Sequence, residues 1–191
     1  MEKKIKTIDD DDVKEKLNYE KLKNKYKYQE ELTPKLDELE ADFNQEIINE
    51  IALWKVNRYV LMQEDTLELL NKIKKSDDKL NEDLTKQILE RLLEKHQKGI
   101  QLAMASTILR FKNPSIYQII DQRVYRFIYG KPLKYPNTID EQINLYLKYL
   151  NDLREKCKDN IPFEESDRIL YSADKKFNPD IPIKYSKNRI E

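Results

Sequence analysis

Apolar residues along this chain recur mainly at helical spacing. The clearest pattern covers residues 85–128, where Ile88, Leu89, Leu92 and Leu93 form one stripe and Met104, Ile108, Leu109 and Phe111 form another. The spacing predicts two helices joined by a tight hairpin at Gly99, a short loop, and a third helix that opens at Asp121. A glycine in such a turn tolerates positive φ and lets other backbone come close. Upstream, Leu36, Leu39, Phe43, Ile47, Ile48, Ile51 and Trp54 are spaced by three and four, which predicts one helix from Pro34 that ends within Trp54 to Val60. Leu61, Leu67, Leu69, Leu70 and Ile73 predict the next, closed by lysines that suit a helix C-terminus. Downstream, Thr138 and Glu141 have the spacing of a capping box, and the helix they open carries Ile143, Leu147, Leu150 and Leu153. A last helix is expected from Pro162 to Phe177, followed by a proline-broken tail lying extended over the surface.

The first 33 residues differ in character. They are rich in lysine and glutamate, and their apolar positions are few, among them Leu17, Leu22 and a set of tyrosines that includes Tyr26 and Tyr28. We read them as a charged extension packed lightly on the domain, with a solvated helix over residues 13–31. The run Asp9–Asp12 lacks the alternation and the glycine of a calcium loop. The expected division is therefore an extension over 1–33, a helical domain over 34–178 and a tail over 179–191.

Composition supports an all-α reading: of 191 residues only two are glycine, and the seven prolines fall mostly near the ends of helical patterns. Hydrophobic residues make up 39% and charged residues 38%, with a mean hydropathy of −0.87, so the helices must have long solvated faces. No window holds the apolar run that a membrane span needs, and the first residues have no apolar leader core; no membrane contact and a cytoplasmic location are expected. One cysteine, Cys157, and one histidine, His96, cannot form an internal disulfide, a Cys/His zinc site or a four-cysteine iron–sulfur cluster. No metal and no cofactor are expected.

Net charge is zero, but its distribution is uneven. Residues 85–135 hold ten bases against three acids, a local +7 that the remainder of the chain balances. A basic segment of this kind is compatible with a phosphate-binding face, and equally with lysines scattered on solvated helices. No phosphate-binding glycine loop, serine elbow or paired-histidine motif is present. The informative constellation is the hairpin followed by Asp121. That aspartate has two compatible roles: capping the helix it precedes, through the amides of Arg123 or Val124, and presenting a carboxylate to the sugar of a nucleotide held at the hairpin. Trp54 reads first as a core anchor, and Lys55 and Arg58 beside it flank either a site or the rim of the core.

Gly99-Ile100-Gln101-Leu102-Ala103-Met104-Ala105, followed by Ile119-Ile120-Asp121-Gln122-Arg123-Val124, resembles the hairpin and aspartate segment of the helix-hairpin-helix DNA glycosylase superfamily. Together with Trp54-Lys55-Val56-Asn57-Arg58 and the late stretch from Asp167 to Lys175, the chain is similar to a family of small helical proteins related to those glycosylases. The resemblance implies an all-α, helix-hairpin-helix glycosylase-like domain with an N-terminal helical extension, a duplex DNA partner, and base excision by hydrolysis. It gives Asp121 the catalytic position, where it would stabilise an oxocarbenium-like sugar and orient a water. The slot of the Schiff-base lysine falls on Ala103, so a β-lyase reaction through that position is not expected, and Gln101 replaces the second hairpin glycine. Lys98, Gly99, Gln101, Arg110, Lys112 and Arg123 become the candidate DNA contacts. Trp54, Tyr117 and Tyr125, with Tyr129, become candidates for a pocket that holds an extruded base. Two other readings stand beside this one: a nucleic-acid-binding module without catalysis, and a protein-interaction module whose partner engages residues 1–33.

Overall fold

The computed structural model describes residues 4–30, 32–56, 60, 62–94, 100–158 and 160–183. Among these residues the architecture is all-α and contains no strand. The helices run α1 (Asp11–Lys14), α2 (Tyr19–Lys23), α3 (Leu32–Asp37), α4 (Gln45–Val56), α5 (Glu64–Leu70), α6 (Glu82–Leu93), α7 (Leu102–Lys112), α8 (Gln122–Tyr129), α9 (Ile139–Cys157) and α10 (Ser166–Phe177), with a single 3-10 turn at Phe163–Glu165. No helix among the described residues is long and apolar enough to cross a membrane.

Helix α7 is the axis of the fold. Nearly every side chain from Leu102 to Lys112 is buried, the signature of a helix enclosed on all sides. It packs against α4 and α6, while α9 lies on α6 and α8, and α10 lies along α8. The caps are those the residues favour. Asn81 accepts the Leu84 amide at the start of α6, and Thr138 accepts the Glu141 amide while donating its hydroxyl to the Glu141 carboxylate at the start of α9. Gly130, at φ +66°, ends α8 in the left-handed conformation that a glycine adopts without steric cost.

Two expectations differ from the fold. The stretch read as one helix from Pro34 to Trp54 is two, α3 and α4, separated by residues 38–44. Phe43 stays in the core there because the Asn71 side chain holds both its amide and its carbonyl at 2.8 Å, so helical apolar spacing continues through a segment with no helix. The N-terminal region is not a lightly packed solvated helix either. It is broken into short turns whose apolar residues Ile8, Val13 and Leu22 are buried in the common core, with α2 against α10. The Ile8 amide donates to the Phe127 carbonyl at 3.0 Å, and the Asn178 side chain brackets Lys6 at 2.7 and 2.8 Å. The hairpin turn itself, with Lys98, Gly99 and His96, lies outside the described residues, as does Arg58.

Candidate functional site

Asp121 is positioned by three elements. The segment before it is suspended from α9, where the Tyr146 hydroxyl donates to the Gln118 carbonyl at 3.0 Å and the Tyr149 hydroxyl to that of Ile119 at 2.8 Å. Ser106 of α7 accepts the Ile120 amide at 3.2 Å. Asp121 then caps α8 through one oxygen only: Oδ1 accepts the amides of Arg123 at 2.7 Å and Val124 at 2.8 Å. Its Oδ2 takes no hydrogen-bond donor among the described residues. The side chain is half-buried, and protein surrounds it densely enough that desolvation raises its pKa, with Lys55 and the two capping amides offsetting only part of the effect.

Lys55, at the end of α4, is the cation nearest in influence. It too is half-buried, and its desolvation lowers the amine's pKa against the pull of Asp121 and Asp167. Its Nζ lies 5.9 Å from the Trp54 ring centre, and its carbonyl accepts the Tyr28 hydroxyl at 3.4 Å. Asp167 enters from α10, accepting the Arg168 amide at 2.7 Å through Oδ1. Its Oδ2 is buried with no hydrogen-bond partner and faces Arg110 Nε at 3.9 Å. Tyr26 from the N-terminal segment and Tyr135 from the loop after α8 complete the surroundings; burial drives both phenols upward, and both feel the Asp121 charge. Charged and phenolic groups from five chain segments thus act on one another electrostatically around Asp121.

The other sequence-predicted residues are placed differently. Arg110 and Lys112 were expected at a DNA surface; α7 is enclosed, and both are buried with it. Arg110 is bound by Asp37, which also takes both terminal nitrogens of Arg168 at 2.7 and 2.9 Å; burial alone would raise the Asp37 pKa, but these guanidinium groups hold it below the usual carboxylate range. Lys112 donates to Asn71 at 2.7 Å and faces Asp42 at 3.5 Å. This engagement takes both bases away from any outer phosphate. Arg123 remains half-exposed but is paired with the buried Asp174 at 3.0 Å, a carboxylate that Arg126 also grips at 2.7 and 2.8 Å. Four bases of the +7 segment are therefore matched by carboxylates from outside it. Gln101 is exposed at the N-cap of α7, and its side chain makes no capping bond.

The base-pocket candidates are core residues. Trp54 is buried, with its Nε1 donating to Thr33 at 2.8 Å and its ring edge-on to Tyr28 and Phe111 at 5.0 and 5.1 Å. Tyr117 is enclosed, shares a 2.8 Å hydrogen bond with Thr85, and has its phenol pushed up to about 12 by burial. Tyr125 is buried against Tyr129 at 4.4 Å. None of these rings presents an open face. Tyr26 and Tyr135, whose phenols feel the Asp121 charge, are not singled out by helical periodicity. Asp167 stood inside the stretch that carries the resemblance, but no local pattern marks it as a partner of Asp121. Among the described residues, no group of three or more His, Cys, Asp or Glu side chains is arranged to hold a metal ion. No protein-family model, characterised protein or solved structure matches the chain.

Proposed function

We propose that this chain is a helix-hairpin-helix glycosylase-like protein that binds duplex DNA and removes a modified or damaged base by a monofunctional route through Asp121. One observation carries the reading: Asp121 caps α8 with Oδ1 alone, and among the described residues the Oδ2 of this half-buried side chain takes no donor. A carboxylate whose only purpose was capping has no need of the surrounding charged groups, because a cap works at an exposed helix end. In the proposed reaction, Oδ2 stabilises positive charge developing on the sugar as the bond to the base breaks, and orients a water toward the anomeric carbon. Lys55 opposes part of the desolvation that raises the Asp121 pKa, since a nearby cation favours the charged form. Lys131 and Lys134, exposed in the loop that carries Tyr135, are bases left available for phosphate contact.

Duplexes bearing single lesions, incubated with the protein and probed for abasic sites, test this proposal. Wild type is expected to release one class of base and Asp121→Asn at least about a hundredfold less, the scale of a lost electrostatic stabiliser. Equal activity, or none from either protein across the panel, overturns the catalytic claim.

A second reading is a module without catalysis, favoured by the internal pairing of Arg110, Lys112, Arg123 and Arg126, which leaves fewer free bases than the sequence advertises. Salt-dependent DNA binding that persists in Asp121→Asn without base release supports that module.

A further inference from the structure

While α7 and α8 turn much of their positive charge inward, the N-terminal region turns its own outward. Residues 14–28 hold six lysines against two acids, interleaved with Tyr19, Tyr26 and Tyr28, and all six lysines are exposed. The backbone beneath them is anchored, because Leu22 is buried and α2 packs on α10. Tyr19 and Tyr28, 39% and 40% exposed, are two of the three large hydrophobic side chains that reach solvent among the described residues. A concavity opens at each end of α2. One, of about 800 Å³, is lined by Lys14, Tyr19, Lys156 and Lys158. The other, of about 360 Å³, is lined by Lys23, Tyr26, Lys27, Tyr28 and Arg168. Among the described residues the acids lining them are Asp9, Glu20, Glu30 and Glu165, three of which pair with Lys156, Lys27 and Lys23. Ion pairs this close to solvent are weak, and a phosphate can compete for the amine. Tyr28 is held in place by a strained turn. Gln29 takes φ +48°, the only left-handed non-glycine among the described residues; the Thr33 amide donates to its carbonyl at 2.8 Å and the Thr33 hydroxyl to the Tyr28 carbonyl at 2.6 Å. Such strain persists only where its surroundings enforce it, and it gathers where a group is aimed at a partner.

We propose that α2 and the turn at Tyr26–Gln29 bind a single-stranded polynucleotide, with bases stacking on Tyr19 and Tyr28 and phosphates following the lysines between them. Exposed rings interleaved with flexible cations match a strand whose bases are unpaired, since each base offers a π-face and each linkage a negative charge. A duplex keeps those faces inside its own stack and meets the lysines alone. An acidic peptide supplies the charge but no planar group for the rings. Tyr26 serves as a wall rather than a platform: it is half-buried, edge-on to Tyr171 at 6.0 Å, with the Arg168 guanidinium 5.5 Å from its ring centre. Arg168 is itself fixed by Asp37 at 2.7 and 2.9 Å, so the concavity beside Tyr28 has a rigid back. The proposal does not rest on the excision reading, because none of these residues acts through Asp121.

Fluorescence anisotropy with the full chain tests the proposal. The probes are labelled oligothymidylate and oligouridylate of about 20 nucleotides, longer than one ordinary single-strand site, with a duplex of the same length and polyglutamate as comparisons. Both single strands are expected to bind more tightly than the duplex or polyglutamate, and less tightly as salt rises. Tyr28→Ala and Tyr19→Ala should each weaken single-strand binding at least about tenfold, the scale of one lost base stack, whereas Tyr28→Phe keeps it. Replacing Lys25 and Lys27 together by Ala should lower the slope of log K against log salt by about 1.4, from two lost phosphate contacts. Thermal melting checks that each variant is folded, and Tyr19→Ala carries the test if Tyr28→Ala is not. No single-strand binding at low salt, equal binding of duplex or polyglutamate, or affinity unmoved in the folded tyrosine variants overturns the proposal. Base release by a chain that binds no single strand removes this proposal and leaves the excision reading, whereas single-strand binding with no base release from any lesion does the reverse.

Discussion

At the scale of single residues, Asp121 and Lys55 each have a desolvated charge that folding must tolerate. For Asp121 the folded pKa is raised, so its contribution to stability is fully present below the ordinary value of 3.8 and is lost as pH rises through the higher folded value. Asparagine keeps the capping oxygen and carries no charge. Asp121→Asn is therefore expected to melt no lower than wild type at pH 7, with a gap that narrows toward pH 4; a melting series across pH on both proteins checks this. Asp121→Ala loses the cap as well and should cost about 1 kcal/mol relative to Asn. The capping role of Asp121 was legible in sequence because its partners lie two and three positions away. The role of Lys55 was not, because its surroundings are assembled from segments more than a hundred positions apart, including Asp167.

At the scale of elements, the helices with local punctuation were readable, α8 by Asp121 and α9 by Thr138 and Glu141, while the Asn81 cap of α6 and the Gly130 end of α8 come from the structure. Misreadings arose where a side chain reached across the fold to replace a helix, as Asn71 does for Phe43, or where an enclosed helix drew its charged end inward, as α7 does with Arg110 and Lys112. The joint between α8 and α10 is a further case. Asp174 is fully buried and is held by Arg123, Arg126 and the Asn178 amide, so three cations and donors depend on one carboxylate. Asp174→Ala is expected to destabilise the protein by about 3–5 kcal/mol, because it leaves a buried guanidinium unpaired. Denaturant unfolding measures it; a loss under about 1 kcal/mol, the value of an exposed pair, would show that solvent already reaches the cluster.

At the scale of the whole molecule, the +7 segment and the acidic remainder are complementary halves of one interior. Their separation along the chain looked like a charged face, but much of it is resolved by long-range pairs such as Arg110 with Asp37 and Arg126 with Asp174. The N-terminal region likewise belongs to the same body, since Ile8, Val13 and Leu22 are core residues and the Ile8 amide is bonded to Phe127 of α8. A chain beginning at residue 34 is expected to lose cooperative unfolding or to aggregate, rather than behave as a domain relieved of a tail; circular dichroism melts and gel filtration distinguish these outcomes. Any partner that engages residues 1–33 must then recognise a surface already fixed by the fold.

The single tryptophan has a practical consequence. Trp54 is adjacent in sequence to Lys55 and sits edge-on between Tyr28 and Phe111. Its emission is therefore an intrinsic optical readout of the neighbourhood of that amine: a ligand seated there, or a displacement of Tyr28, changes the indole's quenching environment without any label being attached.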